Sequence, residues 1–238
     1  MARPKGIIKI KGGLGDMSFY EDRRYGPIAR RKGGPSKKQI KTSKSCKVVR
    51  QNNEEFGRAS SAGKLLRQSF YGLINRCSDH KVTPTVQQKL MAVLKADQRH
   101  RAGKKILLKE HFGLFGPVEL NKACAASTYL TRISRVKEGN VMEVSIEIDC
   151  ETARRKSASH YRVISSVAVV DFAGDKEVHE LQEGDLYKLN REKVEVNFSH
   201  VLKGKGIAFH GVCILFYQLV NGEFKLLHDK VLRAGVLE

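Results

Sequence analysis

The chain has no C-x-x-C pair, no G-x-S-x-G nucleophile elbow and no apolar run approaching the ~20 residues that a membrane-spanning helix requires. Its five cysteines, Cys46, Cys77, Cys124, Cys150 and Cys213, are odd in number and widely spaced. They read as free thiols of a reducing compartment rather than as a disulfide framework or a zinc site. Residues Met1 to Ile10 set Arg3, Lys5 and Lys9 around only Ile7, Ile8 and Ile10, which speaks against the usual export signal, so a cytoplasmic protein is expected. The histidines stand singly. His179 with Glu177 and Glu180 comes nearest to a metal-binding group and reads more simply as a wet strand edge. Cys150 and His160 are not positioned by any local motif as nucleophile and base. No cofactor, metal or catalytic residue is assigned, and an enzyme is not expected.

Acidic residues are scarce in one half only. Residues 1–110 hold 27 Lys and Arg against 8 Asp and Glu, whereas residues 111–238 hold 17 of each, so the first part carries the whole net charge of +19. Mixed signs would suit a merely solvated surface. Segregation points instead to a basic extension that meets nucleic acid or another polyanion, joined to a neutral module with a separate task. At 238 residues and 41% hydrophobic composition, the chain is long and apolar enough for a substantial core.

The basic extension is richest in chemistry between Gly12 and Arg67. Met17 to Tyr20 lead into a polar turn at Glu21 to Gly26, and Pro27 to Ala29 lead out, which predicts a β-hairpin. Gly6 to Lys11, GIIKIK, alternates well enough to add a third strand. Phe19, Tyr20 and Tyr25 are interleaved with Arg23, Arg24, Arg30, Arg31 and Lys32, a composition able to stack on bases while the cations meet phosphates. Phe19 suits a core position equally well. From Pro35 to Arg50 the cations Lys37, Lys38, Lys41, Lys44, Lys47 and Arg50 accompany only Ile40, Cys46, Val48 and Val49 as apolar residues, so this run is expected as an extended arm.

Further on, Asn52 with Glu55 fits a helix start, and Phe56, Ala59, Gly63, Leu66, Phe70, Leu73 and Cys77 recur every three or four residues, predicting an amphipathic helix to about Arg76. Arg58, Lys64 and Arg67 lie off that stripe and join the candidate phosphate contacts. The octapeptide GRASSAGK at 57–64 imitates a phosphate-binding loop but fails it: five residues separate the glycines, Leu65 stands where Ser or Thr would hold the metal, and no buried strand precedes it. Gly57 and Gly63 are read as close-packing points. A second helix is predicted from Thr83 and Pro84 to Gly103.

Beyond a transition at 104–122 the period changes to two. Met142, Val144, Ile146 and Ile148 alternate with Glu143, Ser145, Glu147 and Asp149, the clearest strand in the chain. Further strands are expected at 127–133, 161–172, 194–198 and 206–219, with Asn221-Gly222 as a type I′ hairpin turn. The expected fold class is therefore α+β: a basic N-terminal β-hairpin and extended arm at 1–50, a helical hairpin at 51–110, and a C-terminal antiparallel β-sandwich at 111–238.

The run Ile10 to Tyr20, IKGGLGDMSFY, the segment IARRKGG at 28–34 and the stretch Asn53 to Arg67 resemble an uncharacterised family of small basic bacterial proteins. The likeness covers the first ~75 residues; it implies a bacterial, non-secreted protein and supplies no catalytic residue. Two roles remain open from the sequence. One is a binding protein whose basic half engages nucleic acid or a nucleoprotein surface such as the ribosome, with the β-domain mediating protein contacts. The other is an assembly protein whose basic arm interlocks with neighbouring subunits.

Overall fold

A computed structural model describes residues 11–22, 25–79, 81–154, 157–189 and 193–238. The chain divides into two compact units, residues 1–50 and 51–238.

The first unit opens with β1 (Gly12–Leu14), β2 (Met17–Asp22) and β3 (Gly26–Arg31), an antiparallel sheet in that order. The hairpin lies where the aromatic and turn residues predict it. Its third strand is β1, one residue beyond GIIKIK, of which residues 6–10 lie outside the described residues. The run 35–50 is not extended. Ser36 accepts from the Gln39 backbone N–H while the Gln39 side chain accepts from Ser36 N, a reciprocal cap that starts helix α1 (Lys37–Thr42). A tight turn at Lys44–Cys46 then feeds α2 (Lys47–Ser69). Arg50 Nη1 donates to the carbonyls of Ile40 at 2.7 Å and Ser43 at 2.8 Å, tying α1 to the start of α2. Side-chain–backbone bonds, rather than apolar burial, therefore order this run. Among the described residues of this unit only Ile28, Ala29 and Cys46 are buried apolar side chains.

In the second unit α2 is followed by α3 (Tyr71–Cys77) and α4 (Val82–Lys95). The stripe Ala59, Gly63, Leu66, Phe70, Leu73 and Cys77 is buried as its spacing demands. Its first member differs: Phe56 is 55% exposed. The helix also begins at Lys47 rather than Asn52. Glu55 is not a cap but a buried carboxylate that accepts from Gly103 N at 2.7 Å. At Phe70 the backbone leaves helical geometry (φ −108°, ψ 21°), which splits the predicted single helix into α2 and α3. No atom lies within 4 Å of a Cβ built at Gly57, so of Gly57 and Gly63 only Gly63, facing Leu90 and Arg67, is a packing point.

The strands are β4 (Val118–Glu119), β5 (Leu130–Glu138), β6 (Val141–Ile148), β7 (His160–Asp171), β8 (Lys176–Glu183), β9 (Tyr187–Lys188), β10 (Val194–Val201), β11 (Ile207–Val220), β12 (Glu223–Leu226) and β13 (Arg233–Leu237), with a short helix α5 (Glu151–Arg154) after β6. They form a three-stranded sheet, β10-β6-β5, and a seven-stranded sheet, β4-β13-β11-β7-β8 with β12 on β11 and β9 on β7. All pairings are antiparallel. Asn221 (φ 53°) and Gly222 (φ 84°) close the β11–β12 hairpin with both residues left-handed, as the type I′ turn requires.

Three layers result. One face of the large sheet packs on the small sheet: Val163, Val167, Val212, Ile214 and Phe216 meet Val144, Ile146, Ile148, Val196 and Phe198. The other face carries the helices: Ile164, Ala168, Phe209, Cys213 and Leu215 meet Leu66, Phe70, Leu73, Leu90 and Leu94. Strand periodicity of two explains why neighbouring residues of β7 and β11 belong to different cores. The fold is thus α+β with a β-sandwich-like C-terminal part. Helices and small sheet pack on opposite faces of the same large sheet, and the transition at 104–122 falls inside the second unit.

At Gly211 the helices approach the sheet closely. A Cβ there would sit 2.7 Å from Leu73 Cδ1 and 3.1 Å from the Phe70 ring. Gly211→Ala is therefore expected to cost about 1–3 kcal/mol of stability by overpacking, read from the denaturant midpoint at unchanged m-value. Because the first unit buries so few apolar side chains, limited proteolysis should cut within it and leave a resistant fragment starting near Gln51; a stable fragment starting near residue 110 would contradict the packing of the helices on the large sheet.

Candidate polyanion interface

The cations expected to meet an anionic partner separate into two groups once their hydrogen bonds are traced. In the hairpin, Arg31 pairs with Asp16 at 2.9 Å and Lys32 Nζ donates to the Gly15 carbonyl at 2.8 Å, so both brace the β1–β2 turn. The Arg30 guanidinium lies 5.4 Å from the centroid of the half-buried Tyr20 ring, a cation–π contact that covers one face of that aromatic. Phe19 is half-buried and Tyr25 is 57% exposed, with its backbone N–H bonded to Asp22. Arg23 and Arg24 lie outside the described residues.

Along α1 and the start of α2, Lys37, Lys38, Lys41, Lys44 and Lys47 are exposed, and none forms an ion pair among the described residues. The helix α1 has no acidic residue in its first turn. Five ammonium groups within eleven residues repel one another across water, and that repulsion is relieved by a polyanion laid along them. Arg50 does not belong with them, since its guanidinium is spent on the Ile40 and Ser43 carbonyls.

In the second unit Arg58 is likewise structural. It donates to the carbonyls of Lys105 at 2.8 Å and of Gly103, and stands 3.7 Å from Glu54 one turn back. Lys64 is exposed. Arg67 is half-buried, and burial lowers its pKa; it lines a shallow groove of about 480 Å³ between α2 and α4 together with Phe56, Pro84 and Met91. Residues 57–64 lie within continuous helix and form no phosphate-binding loop.

Sequence reasoning missed a polar cluster inside the sandwich. Ser165 Oγ lies 2.8 Å from His200 Nε2 and 3.0 Å from His210 Nε2, all three residues being buried. Arg135 Nε donates to His210 Nδ1 at 3.0 Å, and the same guanidinium pairs with Glu238. This fixes the proton order: His210 must accept at Nδ1, so it donates from Nε2 to Ser165, whose hydroxyl donates to His200 Nε2. His200 then carries its proton on Nδ1, 3.9 Å from Glu180 Oε1 and without a hydrogen-bond partner. The available signal was polar residues at inward positions of β7, β10 and β11. A buried serine flanked by imidazoles has the composition of a hydrolytic pair, but Ser165 has no solvent access at all. The cluster is read as a lock between the two sheets. At Cys150 burial pushes the thiol up to about 12, which disfavours the thiolate. His179 bonds Glu177 at 2.7 Å, and among the described residues no group of His, Cys, Asp and Glu is arranged to hold a metal. No described helix is long and apolar enough to cross a membrane.

The chain matches no known protein family, no curated protein and no solved structure.

Burial, the Arg135 charge and neighbouring His200 together hold the His210 pKa at about 3, against 6.5 for an ordinary histidine. The sign follows: above pH 6.5 His210 is neutral folded or unfolded, whereas below it the unfolded chain takes up a proton that the folded chain refuses. Stability should therefore be lost as the pH falls from 6.5 towards 3, at a slope approaching 1.4 kcal/mol per pH unit from this group. Denaturant unfolding at pH 7, 6 and 5 measures it, and His210→Gln should be less stable at pH 7 but flatter with pH.

Proposed function

We propose that residues 1–50 are a polyanion-binding module through which this protein engages nucleic acid or a nucleoprotein surface, and that its role is binding rather than catalysis. The observation that carries this reading is the row Lys37, Lys38, Lys41, Lys44 and Lys47, exposed and without carboxylate partners among the described residues. Arg30 and the exposed Tyr25 extend the same chemistry: a guanidinium for phosphate and an aromatic face for an unstacked base. The second unit, whose part from residue 111 onward is neutral, is the scaffold and the surface for protein contacts. Cations in such a row contact phosphates without reading sequence, so the reading is one of general affinity for the backbone.

Anisotropy of a labelled single-stranded oligonucleotide tests it. If ~6 phosphates are contacted, affinity should fall about three orders of magnitude between ~50 and ~200 mM salt. Replacing Lys37, Lys38, Lys41, Lys44 and Lys47 by Gln should weaken binding to all sequences alike and flatten that slope. Tyr25→Ala should weaken single-strand binding by about 1–3 kcal/mol with the slope nearly unchanged. Arg50→Gln should lower the stability of the first unit rather than change the slope. Absence of binding at low salt would overturn the reading.

A further inference from the structure

Within the second unit, no described element packs as a layer on the outer face of the small sheet. The inward residues of β6 and β10 and, on β5, Leu130 and Ile133 pack in the sandwich core, and the alternate positions face out: Arg132, Ser134, Val136 and Glu138 on β5, Val141, Glu143, Ser145 and Glu147 on β6, Glu195, Asn197, Ser199 and Val201 on β10. No aromatic or lysine stands among them, so the surface is flat and acceptor-rich. Its charge is one-sided, four glutamates against one arginine. Glu147 and Glu195 are direct cross-strand partners, a like-charge opposition that costs stability in an antiparallel pair. Arg132 reaches Glu147 only at 3.6 Å. Ser145 and Ser199 donate to Glu195 and Glu143 respectively, which fixes the carboxylates outward without neutralising them. At one end Val136 and Val201 are exposed, 55% and 46%.

We propose that this face docks the basic first unit of a second copy of the chain. The match is electrostatic: the face is rich in carboxylates short of cations, and the first unit holds 15 Lys and Arg against 3 Asp and Glu, with its lysine row unpaired among the described residues. Eight residues per strand at ~3.3 Å and three strands at ~4.8 Å make a patch of roughly 380 Å². That is less than half of the ~800 Å² per partner of a standard interface, so the contact is weak, fast and sensitive to salt. The two surfaces are different, so the contact is heterologous, closing by mutual exchange or growing head to tail. Polyanion and acidic face then compete for one lysine row, and nucleic acid dissolves the assembly. The docking rests on the basic surface used in the proposed function, but not on nucleic acid being its ligand.

Sedimentation velocity on the full-length, nuclease-treated protein tests it. Wild type should associate with rising concentration at 50 mM salt and be monomeric at 500 mM. The triple variant Glu143→Gln, Glu147→Gln, Glu195→Gln keeps the carbonyl acceptors for Ser145 and Ser199, so the sheet is preserved; its self-association should be at least tenfold weaker. Reversing the face in one variant (Glu143, Glu147 and Glu195 to Lys) and the row in another (Lys37, Lys38, Lys41, Lys44 and Lys47 to Glu) should abolish association of each alone and restore it on mixing. A monomeric wild type at 50 mM salt, undiminished association of the triple variant, or no restoration on mixing would overturn the proposal. The oligonucleotide measurement is independent of it: the triple variant should bind oligonucleotide at least as tightly as wild type, so loss of docking and loss of nucleic-acid binding are told apart.

Discussion

The pairing of β7 with β11 is the constraint on which the second unit depends. Eleven consecutive residue pairs run from Ile207↔Val170 to Tyr217↔His160, and both faces of this ribbon are covered. A ribbon buried on both sides is apolar along most of its length, as β11 is, and the polar Ser165 and Ser166 buried in β7 are hydrogen-bonded. Each odd-numbered inward residue of β7 commits the small sheet to one side, and each even-numbered one commits the helices to the other. A one-residue slip would exchange the two sets, placing Arg162 against the sandwich core and Ser165 under the helices. Correct register is thus specified from both sides at once, and the hydrogen-bonded cluster of Ser165, His200 and His210 fixes it further, since its polar atoms find partners in only one alignment.

The two units divide the physics between them. Residues 51–238 hold nearly all buried apolar surface, whereas residues 1–50 are ordered largely by main-chain pairing, a helix cap and cations bonded to carbonyls. A segment held in this way loses little on exchanging water for a charged partner, because few apolar contacts fix its shape. That is the economy of a contact surface rather than of a scaffold.

Legibility in the sequence tracked apolar periodicity. β6 alternates in and out as its sequence does, and β7, β11 and the stripe from Ala59 to Cys77 were visible for the same reason. Where order comes from polar bonds, pattern says little. The helix α1 rests on the Ser36 and Gln39 cap rather than on burial, so the lysine-rich run looked extended. β8, KEVHELQE, is polar because it lies at the end of the large sheet's strand order, with only β7 as a ladder partner along it. Asn52 and Glu55 mimicked a helix start because the composition of a cap does not exclude a mid-helix position; the carboxylate of Glu55 is satisfied from 48 residues away, by Gly103. Of the basic candidates, Lys37, Lys38, Lys41, Lys44, Lys47 and Lys64 are exposed. Arg50 and Arg58 also donate to carbonyls of their own chain, which only tertiary structure reveals.

The five thiols are all buried, and they sample every part of the molecule: Cys46 in the first unit, Cys77 and Cys213 beneath the helices, Cys124 and Cys150 in the sandwich. A buried thiol meets a reagent only when its surroundings open. The chain therefore carries its own set of internal clocks. The order in which these sulfurs become reactive reads out the order in which the layers come apart, with Cys46 timing the opening of the first unit separately from the rest.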